Sequence, residues 1–184
     1  MTLNKKDKRK LVDKILISFG IVATIVLVGM GSLTWWAYSF TTSNVHNELA
    51  AQQIYFPPLG SSALASPEIG PYLDQYAGKQ LLTGAEAKAY ANHFIAVHLS
   101  EVASGKTYAE VSSESLKDPT NQTLKAQAQT LFQGETLRGL LLGDAYAFST
   151  VGQIAGIAAV ILFISSGVML LLVLLGLAHL ARSA

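Results

Sequence analysis

ILISFGIVATIVLVGMGSLTWWAY, from Ile15 to Tyr38, and QIAGIAAVILFISSGVMLLLVLLGLA, from Gln153 to Ala178, decide the architecture of this chain. They lie in two gaps, Lys14 to His46 and Asp144 to His179, that hold no Asp, Glu, Lys, Arg or His. A bilayer-spanning helix needs about 20 predominantly apolar residues at ~1.5 Å rise each. The two stretches supply 24 and 26, so each is long enough to cross. Trp35, Trp36 and Tyr38 close the first one with rings suited to the membrane–water interface, an aromatic belt. A cleavable secretory signal carries a shorter apolar core, about 7–15 residues, ending in small side chains. The first stretch therefore reads as a retained anchor.

Charge sets the expected orientation. Residues 1–14 hold Lys5, Lys6, Lys8, Arg9, Lys10 and Lys14 against Asp7 and Asp13, whereas the segment between the spans is acidic. Basic residues beside a spanning helix stay in the cytoplasm, which predicts both termini inside, in the plasma membrane, and the middle segment outside. The same basic tail can touch anionic lipid head groups. It is a short tail abutting a span, not a domain-wide basic patch, which argues against nucleic acid. The chain has no cysteine, so disulfides and cysteine-ligated zinc or iron–sulfur centres are excluded.

Helix signals dominate the middle segment. Thr83-Gly84-Ala85-Glu86 and Thr107-Tyr108-Ala109-Glu110 match the capping box, with Gly105 as a break between the helices they start. Beyond the first box, Ala87, Tyr90, Ala91, Phe94, Ile95 and His98 recur near one side at three- and four-residue spacing. Asp118-Pro119 predicts a third helix start, with proline in the first turn. That helix either runs on into the second span or bends near Gly134, Gly139 or Gly143. Thr41 to Asn44 predicts a break, followed by a short helix around Val45 to Gln53. Tyr55 to Gly70, with Pro57-Pro58, predicts an irregular loop near the membrane surface, with Tyr55 and Phe56 packed on a neighbour. No alternation long enough for a strand occurs.

No constellation in the sequence points to catalysis or to a cofactor. His93 and His98 are five apart and differ by about 140° around a helix, so they do not share a face. Glu101 lies one turn from His98 and the fold could bring His46 to them, but exposed or partly packed histidines are the default, so no metal site is expected. Gly105-Lys106-Thr107 resembles the end of a phosphate loop, but Ser100 stands where the first glycine belongs. Glu135 and Arg138, one turn apart, are expected to pair. No Gly-x-Ser-x-Gly elbow or isolated carboxylate pair is present. Asn121-Gln122-Thr123 fits the glycosylation sequon, which counts only in a eukaryotic secretory setting.

Small residues offer helix-packing faces at Gly152, Gly156 and Ala159 on the second span and at Gly139 and Gly143 before it, with Gly29 to Ser32 on the first. Close backbone approach at such positions drives helix association in lipid. Whether they meet the first span, a partner protein or a second copy is open at this level.

Thr34-Trp35, then Tyr90-Ala91 with His98, then Gly105 through Glu110, then Leu137-Arg138-Gly139-Leu140-Leu141 follow in an order that resembles a family of small uncharacterised actinobacterial two-span membrane proteins. The resemblance covers most of the chain and implies a bacterial plasma membrane, with no known reaction. Members sometimes carry a ring-opening dioxygenase label, for which this sequence offers no residues.

The expected architecture is an all-α membrane protein, two transmembrane helices joined by a mostly helical extracytoplasmic insert. Its parts are a basic tail over 1–14, spans over 15–38 and 148–180, an insert over 39–147, and a tail over 181–184. The expected role is a non-enzymatic accessory or scaffolding subunit of a larger membrane assembly, in contact with lipid and with a membrane-protein partner or its own copy. The alternative is a ligand- or metal-sensing insert using Tyr90, His93 and His98.

Overall fold

Nothing from Ile15 to Gln52 stops a helix: the segment has no proline, and its three glycines are scattered among strong apolar formers. In a computed structural model, which describes residues 4–182, the result is one continuous helix, α1 (Lys5–Gln52). The predicted break at Thr41 to Asn44 does not occur. Thr41, Val45 and Leu49 are buried at four-residue spacing, and that burial outweighs the weak helix preference of Thr42, Ser43 and Asn44. α1 ends at Gln53, whose φ of +53° is left-handed, and the Gln80 amide donates to the Ala50 carbonyl at 2.9 Å.

The other elements are helices and turns, and the protein is 83% helical with no strand among the described residues. α2 (Gly70–Leu73) is a single turn between two 3₁₀ turns. α3 (Gly84–Ala89) passes through a π-helical stretch, Tyr90–Ile95, into α4 (Ala96–Ala103). α5 (Tyr108–Lys117) follows, and α6 (Gln122–Leu140) passes through a second π stretch, Leu141–Ala147, into α7 (Phe148–Arg182). Two of these, α1 and the run Gln122–Arg182, are long and apolar enough to cross a membrane.

Both predicted capping boxes form. Thr83 accepts from the Glu86 amide while the Glu86 carboxylate accepts from the Thr83 amide, and Thr107 and Glu110 repeat the arrangement. The predicted start at Asp118 does not. Asp118 ends α5 and accepts from the Thr120 amide and hydroxyl, and Asn121 caps α6 by accepting from the Leu124 amide at 3.1 Å. An Asx-type bond two residues ahead holds Asp118 in a turn, so the cap falls to the next competent side chain.

The Glu110 carboxyl is held below its usual range, first by the Thr107 amide, then by the Thr107 hydroxyl and the charge of Lys106. A depressed folded value means that its contribution is present above the ordinary glutamate range and is lost as pH falls through the lower, folded value. Amide exchange at Thr107 and Glu110 is therefore expected to accelerate selectively below that range, and Glu110→Gln, which does not titrate, to remove the dependence.

The chain divides into two compact units. One holds α1 up to Phe40 with α7 from Gly152, and the other is Thr41–Val151. In the first, α1 and α7 run antiparallel: the Cβ positions of Gly20, Gly31, Gly156 and Gly176 abut Val173, Phe163, Tyr38 and Ile17 in turn. Shielded positions alternate three and four apart, through Ile17, Gly20, Thr24, Leu27, Gly31 and Thr34 on α1. Ala159, Leu162, Ser166, Met169, Val173 and Gly176 answer them on α7. This is the seam of a left-handed two-helix pair. Most of the other leucine, isoleucine and phenylalanine side chains point away from it, with Leu16 63% and Phe19 72% exposed.

The second unit has an apolar core. α3 and α4 pack antiparallel to α6 and the π stretch after it, burying Ala87, Ala91, Ile95, Leu99 and Ala103. A repeat of four residues drifts about 40° per turn on an α-helix. The π stretch takes up one extra residue and keeps the five on one face. Gly134 admits the Leu99 side chain at 2.4 Å from where its Cβ would stand, so it serves close packing, not a bend. The 53–83 loop closes through an isolated antiparallel bridge of Tyr55 with Gln80. It drives Phe56, Leu64, Leu73 and Leu81 into the core, while Tyr55 stays outside.

Candidate interaction surfaces

The five small residues read as packing faces separate into two sets. Gly152, Gly156 and Ala159 are buried, and Gly156 lies against the Tyr38 ring, where an added Cβ would come within 2.9 Å. Gly139 and Gly143 have nothing within 4 Å of the Cβ position. Of the aromatic belt, Trp35 leans on Tyr38 with ring centroids 5.4 Å apart, and Trp36 stacks on Phe40 at 5.6 Å. The two Trp rings stay about half exposed or more.

A separate surface of the second unit is open as well. A groove of about 280 Å³ runs between the end of α1 and the α6–π junction. Its floor is Leu49, Leu141 and Ala145, and its rim carries Glu48, Asp144, Asn44 and Gln52. No cation among the described residues pairs with Glu48 or Asp144. Leu140, beside the groove, is 54% exposed.

On the same helix Arg138 makes two polar contacts. Arg138 Nη1 reaches the Glu135 carboxylate at 2.8 Å, as their spacing predicts, and Nε donates to the Ala91 carbonyl at 3.1 Å. Ala91 sits in the first π stretch, and its oxygen also accepts from the Ala96 amide. A guanidinium bond to a carbonyl in the core contributes about 1.5–3 kcal/mol, so Arg138 ties α6 to the π turn. Near the second π stretch, Lys88 donates to the Tyr146 hydroxyl at 3.1 Å and lies 4.5 Å from the ring centre. That bond, more than the ammonium charge, draws the Tyr146 hydroxyl below its usual range. These long-range contacts leave no trace in local spacing.

His93 and His98 are held by packing partners. His93 stacks on Tyr72, with centroids 3.7 Å apart and planes 9° from parallel. His98 Nδ1 lies 2.8 Å from the Phe94 carbonyl and its ring tilts onto Phe94. Tyr90 is half-buried against Phe56 and Phe94, and burial pushes its hydroxyl up. Among the described residues, no three His, Asp or Glu side chains come together to hold a metal. Lys106 is drawn into a salt bridge with Glu114 at 2.8 Å, and Thr107 caps α5, so the glycine–lysine–threonine run is a helix start.

The chain matches no protein-family model, no curated protein and no solved structure.

Proposed function

We propose that this chain is a non-enzymatic plasma-membrane protein, a two-span accessory or scaffolding subunit that docks on a larger membrane assembly. In this reading α1 and α7 cross the bilayer, both termini are cytoplasmic, and the Thr41–Val151 unit lies outside. The orientation rests on the basic 1–14 tail against the acidic middle segment. The resemblance to actinobacterial two-span proteins agrees with the location and supplies no reaction. Support for the spans comes from their exposure: the most apolar window of α1 is only 6% buried and that of α7 17%. A soluble core helix would be mostly covered, whereas outward leucines and an inward glycine seam suit hydrocarbon.

Two observations carry the docking role: the bare Gly139 and Gly143, and a groove against the end of α1 whose lining includes neither glycine. Two bare glycines permit close backbone approach, Leu140 offers apolar area, and the uncompensated Glu48 and Asp144 favour a partner segment carrying lysine or arginine. Gly20, Gly31, Gly156 and Gly176 of the hairpin are already filled from within. A sensing role through Tyr90, His93 and His98 has less support, because their rings are engaged in packing.

A photo-crosslinking residue at Leu140, activated in intact membranes, is expected to give a discrete protein adduct. Gly143→Leu and Asp144→Lys are expected to abolish it while leaving the chain in the membrane. A monomeric chain without adducts would refute the docking role.

A further inference from the structure

The hairpin carries a groove of its own, of about 210 Å³, at the end where α1 begins and α7 finishes. Leu16, Ile17, Met169 and Val173 line its apolar depth, and Asp13 and His179 are the ionisable groups on its wall. The antiparallel register brings these two to one level. Gly20 lies against Val173 and Gly176 against Ile17. Asp13 stands four residues outward from Ile17, and His179 three residues outward from Gly176, so one helical turn on each side ends at the acid and the imidazole. Asp13 is half-buried and continues the spacing of Ile17 and Gly20, on a seam that otherwise holds no charge, while His179 is exposed. Among the described residues neither belongs to an ion pair, so the two face each other across the groove without touching.

From this geometry we infer that Asp13 and His179 form a pH-sensitive latch between the two helix ends. The charged groups around them are Arg9, Lys10 and Lys14 on α1, with Asp7 and Lys8 further out, and Arg182 on α7. Aspartate, lysine and arginine keep their charge between about pH 5 and 8, whereas histidine changes its charge there. Among the described residues of this end, His179 is therefore the switching group. In acid the imidazolium is attracted to the Asp13 carboxylate, and the helix ends close on the groove between them. As pH rises the imidazole loses its proton and that attraction goes. Lys10 and Arg182, each three residues further out, are also level with each other and repel at every pH in this range, so the ends then part. A partly exposed pair shifts such an equilibrium by about fivefold. This inference depends neither on the docking role nor on which side of a membrane the latch faces.

The test uses the full chain in mild detergent. Because the chain has no cysteine, Leu11→Cys with Ala181→Cys places one nitroxide on each helix, at exposed positions level with the latch. Pulsed electron–electron resonance, with the labelled protein diluted by unlabelled chain, reads the distance between them. From about pH 8 to about pH 5.5 the ratio of short to long distances is expected to rise about fivefold. Asp13→Asn and His179→Gln are each expected to abolish the rise. His179→Lys, which stays charged throughout, is expected to hold the short distance at both pH values. Circular dichroism and gel filtration confirm that each variant is folded. A distance ratio indifferent to pH, a rise that survives Asp13→Asn, or a long distance in His179→Lys would overturn the inference.

Discussion

Phe56→Ala is expected to destabilise the Thr41–Val151 unit by about 3–5 kcal/mol, the range for removing a fully buried aromatic ring. Phe56 is 2% exposed, stacks on Tyr76 at 5.1 Å and meets Tyr90 edge-on at 5.3 Å. Its loss would empty the space where the 53–83 loop meets the first π stretch, and neighbouring rings cannot collapse into it without leaving their own contacts. Domain stabilities are about 5–15 kcal/mol, so about a fifth or more of the total would go. Thermal unfolding of the detergent-solubilised chain, followed by near-ultraviolet tyrosine dichroism, would measure it. Leu116→Ala, at a residue 78% exposed, is the control and is expected to stay within about 0.5 kcal/mol. Equal melting of the two variants would contradict the packing described for the loop.

Gly84→Val is expected to cost about 3 kcal/mol, by overpacking rather than by a cavity. A Cβ at Gly84 would stand 2.5 Å from Ser149 Cβ and 2.9 Å from the Ala145 carbonyl oxygen, so backbone has to move, not just a flexible side-chain tip. Gly139→Ala, on the open face, is expected to have the opposite sign and to gain about 0.5–1 kcal/mol from helix propensity alone. Hydrogen exchange of the 84–103 amides would report both effects in one experiment. Gly84→Val should deprotect that segment, while Gly139→Ala should leave it protected or tighten it. The pair also separates two uses of glycine that look alike in sequence, one admitting a neighbour already present and one leaving a surface bare.

Local chemistry was legible to the extent that it depended on near neighbours. The capping boxes at Thr83 and Thr107 need only residues three apart, and Glu135 with Arg138 needs only one helical turn. Each formed as its spacing predicted. The start expected at Asp118-Pro119 failed because two local motifs competed for one side chain, and the Asx-type turn to Thr120 won. The break expected at Thr41 failed for another reason. Weak helix formers favour a stop on propensity alone, but burial of Thr41, Val45 and Leu49 is a tertiary gain that propensity does not record. Arg138 shows the same limit: its bond to the Ala91 carbonyl joins residues far apart in the chain, at a π turn with no sequence mark.

What the sequence determined by itself is that α1 and the end of the long final helix are apolar over lengths that can cross a membrane, because absence of charge over two dozen residues is a property of composition and length. It also determined that the segment between them is mostly helical, with an irregular loop at Tyr55–Gly70. Only the tertiary structure decided which face of each apolar helix meets the other. Helices that are hydrophobic all round carry no amphipathic signal, so the seam follows from where glycine, alanine and serine let large side chains in, and that depends on both helices at once. The same logic sorted Gly156, filled by Tyr38, from Gly139 and Gly143, which face open space.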